Sequence, residues 1–581
     1  MHMGNSRVLR ILEKRWIGLA IVLLIAFLVY ANTLKYDFVY DDEVLIVRNS
    51  LIRDWRNVPS IFISPFMDIS DINISFYRPL AILSFLSDYA LWDLNSVGYH
   101  LTNLLFHLAN GVLVYLILGY ILNSSIIVHS LFPLLTTLFF LIHPIQTESV
   151  AFISNRNGVM FVFFYLWSLL LYIRRSKNCP AGYPIMSSIL FLFALLSKEE
   201  AITLPLIILL YDYYFSSPGD WRLINKRIKY YLPFLVVIGA YFFLRWNVLG
   251  GLGQATTYCC GNFYATMLTM LRVFVYYIKL LVFPLKLCVS PTFQISSSFF
   301  DLSVILSLSL LLSILVVAFY LSSRYREISF AILWFFITLI PVSNILPLTV
   351  LLAERFLYLP SIGFCMLSAI LIVKIYNSSS RKVTRIIFSL FACLLISFYL
   401  VRIRVASSVW KDNFTLWSRT VRLSPNSPTV RNNLGLAYEK MGSYSQAVTE
   451  YGEAIRLAPG YGKHYFHLAN AYRGNRQYEE AIDAYRKAIE IDPEMVDSYI
   501  NLGNLYGDIG QYDEAIKTYK DALEIKPNSA EIYNNLGIVF CQKGNYREGI
   551  DKFRRALEIN PNYEDARKNY EQGSMAQEWK H

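Results

Sequence analysis

The sequence predicts an all-α protein: a polytopic membrane helical bundle of about eleven spans, followed by an α-solenoid. Three observations carry that prediction. The chain of 581 residues is 55% hydrophobic, with a mean hydropathy of +0.40, too apolar for an ordinary soluble fold. Its apolar residues gather into runs at about 17–34, 102–122, 130–143, 158–173, 185–197, 201–215, 231–247, 303–321, 329–346, 357–375 and 386–401. Pro425, Pro459, Pro493, Pro527 and Pro561 stand 34 residues apart without deviation, the period of a repeated helix pair. A membrane domain, 1–409, and a repeat domain, 410–581, follow from these regimes.

The first run lacks a small-residue cleavage site and reads as a retained signal-anchor. Several later runs are shorter than the ~20 residues that cross a bilayer unaided, so they are expected to extend into their flanks or sit inside the bundle. The stretch 264–288 is either another span or an interfacial pair. Positive charge sets the sides. Arg7, Arg10, Lys14 and Arg15 precede the first run; Arg174, Arg175 and Lys177 follow the fourth. Arg222, Lys226, Arg227 and Lys229 follow the sixth, Arg324 and Arg326 the eighth, and Lys374, Arg381, Lys382 and Arg385 the tenth. With eleven crossings all of them fall on one side, which makes the N-terminus cytoplasmic and the repeats extracytoplasmic. The prokaryotic cytoplasmic membrane is the favoured location over the endoplasmic reticulum.

Charge is split unevenly. Residues 1–409 hold 31 Lys and Arg against 18 Asp and Glu, and residues 410–581 hold 22 against 24. The excess cations all lie in the membrane part, which suits orientation and phosphate contacts and not nucleic acid. The seven cysteines lack metal-ligand spacing. Cys259-Cys260 is the single cluster, read as unrelated thiols in preference to a disulfide with Cys288.

Six residues past the first run comes Tyr40-Asp41-Asp42-Glu43. Adjacent carboxylates disfavour each other's ionisation, which is how a general base is tuned. They could also hold a divalent ion through oxygen. Phe76-Tyr77-Arg78-Pro79 carries an Arg suited to bidentate phosphate binding, or to snorkelling toward headgroups. Tyr99-His100, Asn103 and His107 follow, the last two on one helical face. Two histidines without a third ligand suggest hydrogen bonding, not metal. His143-Pro144, Glu148 and Arg156 occupy the next outer loop; Lys198-Glu199-Glu200 and Glu354-Arg355 interrupt further apolar hairpins. Charge in such surroundings is expensive and points to function, with plain Lys–Glu and Arg–Glu pairing as the rival.

The repeat domain opens with a half-unit, 410–427, and continues through 428–461, 462–495, 496–529 and 530–563 to a tail, 564–581. The first unit reads Leu434, Gly435, Tyr438, Ala447, Tyr451, Ala454, Pro459, and the third Leu502, Gly503, Tyr506, Ala515, Tyr519, Ala522, Pro527. This is the tetratricopeptide pattern: small residues let paired helices approach, aromatics fill the seam and Pro ends each unit. Such solenoids present a concave face to peptides.

Several strings carry a resemblance across both halves of the chain. They are Tyr40-Asp41-Asp42, Tyr77-Arg78-Pro79-Leu80 through Tyr99-His100-Leu101-Thr102-Asn103, His143-Pro144-Ile145-Gln146-Thr147-Glu148, and Ala353-Glu354-Arg355-Phe356-Leu357-Tyr358-Leu359-Pro360-Ser361. In their order they resemble the transmembrane and tetratricopeptide-repeat protein O-mannosyltransferases, a family with the C-type membrane glycosyltransferase fold. The resemblance implies a polyprenyl-phosphate sugar donor, membrane lipid around the bundle and a protein acceptor recruited by the repeats. It implies Asp41 as the base, Asp42 as its orienting partner, and Arg78, His100, Lys198 and Arg355 around the lipid phosphate. Glu43, Tyr77, Asn103, His143, Glu148, Arg156, Glu199, Glu354 and Tyr358 would support them. Related families have an Asp-Glu pair where this chain has Asp-Asp and then Glu43, so Asp41 and Asp42 both stay open as the base. No metal or other cofactor is expected. A lipid or surface-polysaccharide transferase of the aminoarabinose-transferase type, and a non-catalytic membrane scaffold, are the alternatives.

Overall fold

The computed structural model describes residues 2–578 except 66–67, 70–73, 123–130, 179–181, 217–218, 220–227, 252–256 and 379–381. Of the basic residues that set the sides, only Arg174, Arg324, Arg326 and Lys374 have described side chains; the others lie outside the description. The chain divides into two compact units, Met1–Leu416 and Trp417–His581.

The first unit is helical apart from a two-strand ribbon, in which Asp68–Ile69 pairs antiparallel with Ile74–Ser75. Among the described residues, seven helices are long and apolar enough to cross a membrane: Trp16–Lys35, Ser96–Ile121, Ile153–Arg174, Tyr230–Leu249, Phe263–Val282, Leu302–Leu321 and Ile386–Trp410. Pro79–Trp92, Leu131–Ile142, Ile185–Ser197 and Ser361–Tyr376 are shorter apolar helices. Two runs read as continuous are interrupted, each at a proline. The 201–215 run becomes a 3-10 turn, Glu199–Thr203, an α-helix, Leu204–Tyr211, and a π turn, Asp212–Ser216. Pro205 in its first turn has no N–H to continue the preceding hydrogen bonds, so the helix starts afresh there. Pro341 likewise ends Arg326–Leu339 in a single 3-10 turn.

The ambiguous stretch forms the helix Phe263–Val282, and the non-helical segment 345–353 runs along it. Near the start of the helix the Tyr258 hydroxyl reaches Ile345 O at 3.2 Å and Cys259 Sγ reaches Leu348 O at 2.8 Å. Near its end the Ala353 N–H donates to Tyr277 Oη at 3.2 Å, and the Cys288 N–H donates to Glu354. Cys259, Cys260 and Cys288 are free thiols.

The core of this unit gathers where the shorter helices meet the long ones, around Tyr30, Phe140, Tyr165, Trp334 and Tyr358. A Cβ on Gly363 would lie 2.4 Å from the Ala331 backbone oxygen, so only a bare backbone lets these two helices approach.

In the second unit each repeat is a helix pair, for example Val496–Asp508 with Tyr512–Ile525, and the helix Glu564–Glu578 follows the fourth pair. Buried Ala447, Ala481 and Ala515 sit in the seams with Tyr451, Tyr485 and Tyr519. At Gly503 a Cβ would meet the Tyr519 ring at 2.7 Å, which is why the small position and the aromatic recur together.

Candidate active site

The acidic motif lies on a tight turn just past the first long helix. Tyr40 takes a left-handed φ of 53°, a strained setting for a bulky residue. Its surroundings hold it there. The Tyr40 N–H donates to Asn413 Oδ1 at 2.9 Å, and its ring stacks on Phe152, which stacks in turn on Trp410. Asp41 and Asp42 then begin a helical turn, with the Leu45 N–H donating to Asp41 O.

The two carboxylates have different environments. Asp42 is fully buried. Its Oδ2 accepts from the Val39 N–H at 3.0 Å, and its Oδ1 accepts from the Ser154 N–H at 2.7 Å and from the Ser154 hydroxyl. Asp41 is half-buried, and among the described residues its carboxylate accepts no hydrogen bond. Burial pushes its pKa up to about 6, against the pull of the Arg355 guanidinium. Burial pushes Asp42 up to about 7, opposed by its hydrogen bonds and reinforced by Asp41. Glu43 is half-exposed and sits 3.6 Å from Arg48.

Arg355 leads from Asp41 into a group of cations. Its Nη1 donates to Glu148 Oε1 at 2.6 Å and its backbone N–H to Glu148 Oε2 at 2.9 Å. Arg355 and Lys198 flank the Phe356 ring, at 5.7 and 5.6 Å from its centroid. Lys198 pairs with Glu200 at 2.6 Å and feels the charges of both Arg78 and Arg355. Arg78 binds Glu199 through two bonds, of 2.7 and 3.2 Å, and Arg245 approaches the same carboxylate at 3.9 Å. Burial works against the Glu199 anion, yet Arg78 and then Arg245 hold its carboxyl down at about 2. Burial lowers Lys198, against Glu200.

Other residues singled out from the sequence have structural partners. Arg156 is fully buried, bonded to Asp88, to Asn103 Oδ1 at 2.7 Å and to Tyr99 O at 2.7 Å. It is an internal strut. Asn103 also donates to Phe152 O, and His107 bonds Tyr358 and Leu141 O. Tyr358 takes a further bond from Asn110. His143 caps the turn after its helix, accepting from the Ile145 N–H, and its Nε2 lies 2.9 Å from Leu281 O. Tyr77 donates to Phe62 O. His100 packs edge-on against Tyr36, beside the Asp37 backbone and within reach of the Arg156 charge. Glu354 does not pair with its neighbour Arg355: it accepts from the Cys288 N–H, and burial followed by the nearby Glu148 charge raises its pKa well above the carboxylate range. Lys198 and Glu199 likewise look past each other to Glu200 and Arg78.

The sequence reading missed Arg245, Asp88 and Ser154. A signal existed for Arg245, an arginine inside the apolar run 231–247, since intramembrane charge marks function by default. Ser154 carried none. Among the described residues, no group of three His, Cys, Asp or Glu could hold a metal.

Tetratricopeptide-repeat profiles match residues 428–461, 470–510, 503–544 and 530–563. A Caenorhabditis elegans protein O-mannosyl-transferase, F38B6.6, is 28% identical over 459 residues, covering 75% of this chain and 62% of that protein. Human protein O-mannosyl-transferase TMTC3 is 24% identical over 474 residues, covering 73% of this chain and 50% of its own length. The chain is a homologue of the protein O-mannosyl-transferases. It spans only 62% and 50% of those two relatives. The Drosophila melanogaster protein O-mannosyl-transferase Tmtc1 matches more closely but locally, at 34% over 194 residues, 33% of this chain and 22% of that protein. All these relatives are animal proteins, so the expected prokaryotic membrane draws no support from them. Among solved structures, a crystal structure of the MamA protein is 26% identical, with a TM-score of 0.24, covering 26% of this chain and 81% of that one.

Proposed function

We propose that this chain transfers a sugar, mannose, from a polyprenyl-phosphate carrier to Ser/Thr hydroxyls of a protein acceptor, with the repeats recruiting that acceptor. One observation carries the reading: Asp41, a carboxylate without a hydrogen-bond partner among the described residues, lies beside Arg355 at the end of the Arg355–Lys198–Arg78–Arg245 group.

Asp41 is the base. Its raised pKa of about 6 leaves it ionised at neutral pH yet basic enough to take a hydroxyl proton. The freed oxygen attacks the anomeric carbon, and the bond from that carbon to the phosphate oxygen breaks with its electron pair passing to the lipid phosphate. Attack opposite the leaving group inverts the anomeric centre. Asp42, locked by Val39 and Ser154, orients the turn. Arg355 and Lys198, with Arg78 and Arg245 behind them, stabilise the departing phosphate. The reading assigns no metal.

The chemistry belongs on the extracytoplasmic face, with the N-terminus cytoplasmic and the repeats extracytoplasmic. We read helix Phe263–Val282, long and apolar enough to cross, as lying along the surface beside segment 345–353, which gives eleven crossings.

The test incubates purified protein with radiolabelled mannosyl-phospholipid and a Ser/Thr-rich peptide. Label moves to the peptide with wild type and not with Asp41→Asn. Transfer to lipid alone would favour a polysaccharide-type enzyme, and no transfer to any acceptor would favour a scaffold.

A further inference from the structure

The segment that follows the last long helix runs in step with the segment that follows the first. Asn32 Nδ2 donates to Ser407 Oγ at 3.0 Å, the Asp37 N–H to Lys411 O at 3.0 Å and the Tyr40 N–H to Asn413 Oδ1 at 2.9 Å. The stretches 32–40 and 407–413 advance together, and Asn413 makes the last tie. Both lie within the first compact unit, which extends to Leu416.

The turn that these ties reach is Val39-Tyr40-Asp41-Asp42. The Asp42 N–H closes it on Val39 O at 3.0 Å, and the Asp42 carboxylate closes it again on the Val39 N–H. Tyr40 and Asp41 are its central residues. A left-handed φ at the first central position ordinarily falls to glycine, yet Tyr40 holds it at 53°. That strain is comparable to what one hydrogen bond returns, so a single tie decides whether the conformation lasts. Asn413 holds the Tyr40 N–H on one side of the N–Cα bond, and the Phe152–Trp410 stack holds the ring on the other. Together they resist rotation about φ. The capping bond at the start of helix Asn413–Leu423 is made by Asp412, whose Oδ1 accepts from the Thr415 N–H at 2.7 Å. This leaves the Asn413 amide to the turn.

We infer that Asn413 is a positioning residue: its amide oxygen, acting through the Tyr40 backbone, aims the Asp41 carboxylate at Arg355. Asp41 follows Tyr40 directly, so relaxing Tyr40 to a negative φ swings the Asp41 side chain. Among the described residues no hydrogen bond to the Asp41 carboxylate opposes that swing. Asp42 is held separately by Ser154, so the loss falls on Asp41. The ionisable groups that bear on Asp41 are Tyr40 and Asp42 beside it and Arg355 across from it. The inference rests on reading Asp41 as the base, and it names what holds that base in place.

The experiment reads the full-length protein in detergent in two ways. The first is transfer from radiolabelled mannosyl-phospholipid to a Ser/Thr-rich peptide. Asn413→Ala lowers kcat on the order of 10²-fold while KM for the donor stays within about twofold, the mark of a misplaced group and not of lost binding. Asn413→Asp keeps an oxygen that accepts from the Tyr40 N–H. At about pH 8, above the Asp41 pKa of about 6, it restores transfer to within about threefold of wild type. The second is modification by dicyclohexylcarbodiimide, which attacks protonated carboxyls, followed against pH with Asp41 and Asp42 separated by peptide fragmentation. Burial outweighs Arg355 in setting the Asp41 pKa, so an Asp41 that swings toward water ionises at lower pH. Its labelling midpoint falls by about half a pH unit or more in Asn413→Ala. The melting temperature checks the fold, and Asn413→Leu, which keeps the outline of the side chain, takes the place of an Asn413→Ala that unfolds. An unmoved or raised Asp41 midpoint, a kcat within about threefold of wild type, or an Asn413→Asp as impaired as Asn413→Ala would each overturn the inference. Wild type that moves no sugar, with the Asp41 midpoint lowered in the variant, overturns the transferase reading alone. Wild type that moves sugar, with the Asp41 midpoint and kcat unmoved in the folded variant, overturns this inference alone.

Discussion

Asp41 and Asp42 are chemically identical and adjacent, and hydrogen bonds, burial and the Arg355 charge separate their environments. Three donors hold Asp42, while Asp41 is left to face Arg355. Asp41→Asn should lower transfer by about 10²–10⁴-fold, the usual worth of a general base, without lowering the melting temperature. Its pH profile has a definite sign. The base works ionised, so transfer should fall as pH drops through about 6 to 7, the range of the coupled pair. Stability should move the other way. A carboxyl whose pKa is raised by burial favours the fold when protonated, and that contribution is lost as pH rises from the ordinary carboxylate value through about 6. Arg156 makes the contrasting case. Arg156→Ala strands buried Asp88 and should cost about 3–5 kcal/mol, read as a lowered denaturation midpoint in detergent. Any lost transfer should then track lost folded protein.

Helices were legible in this sequence where apolarity and period speak, and their interruptions where proline speaks. The 34-residue spacing gave every helix pair of the solenoid. The charged interruptions at Lys198 and Arg355 do meet, as their shared approach to Phe356 shows. Partner choice was not legible. Arg78 pairs with Glu199 121 residues away and Arg355 with Glu148 207 residues away, while the adjacent candidates pair elsewhere. Neighbours in sequence on a short turn point apart, and hydropathy reports that a charge is buried without saying against what. Arg156 shows the same blindness, since a buried strut and a ligand-binding arginine look alike as letters. Close helix approach is the other silent feature. Gly363→Val should destabilise the bundle by about 1–3 kcal/mol or more, because the obstacle is the Ala331 backbone and not a side chain that can swing away. Thermal unfolding in detergent checks this; an unchanged midpoint would mean the two helices can separate freely.

Across the first unit, the loops carrying Asp41, Lys198 and Arg355 come from widely separated parts of the chain and supply one charged group. Four buried or half-buried cations stand against Glu148, Glu199, Glu200 and Asp41. Such a balance offsets the cost of burying the group, and under the proposed reaction the cations would turn toward the lipid phosphate. The arrangement works only if these loops open to the same side of the membrane as the acceptor. The most direct measurement is sided labelling of single cysteines placed at exposed positions near the Asp41 and Arg355 loops, Tyr40 and Val350, in sealed vesicles. Both should react with a membrane-impermeant maleimide from one side, opposite to a cysteine placed at exposed Arg174. A cysteine near Asp41 that reacts from the side opposite to the one near Arg355 would contradict the account.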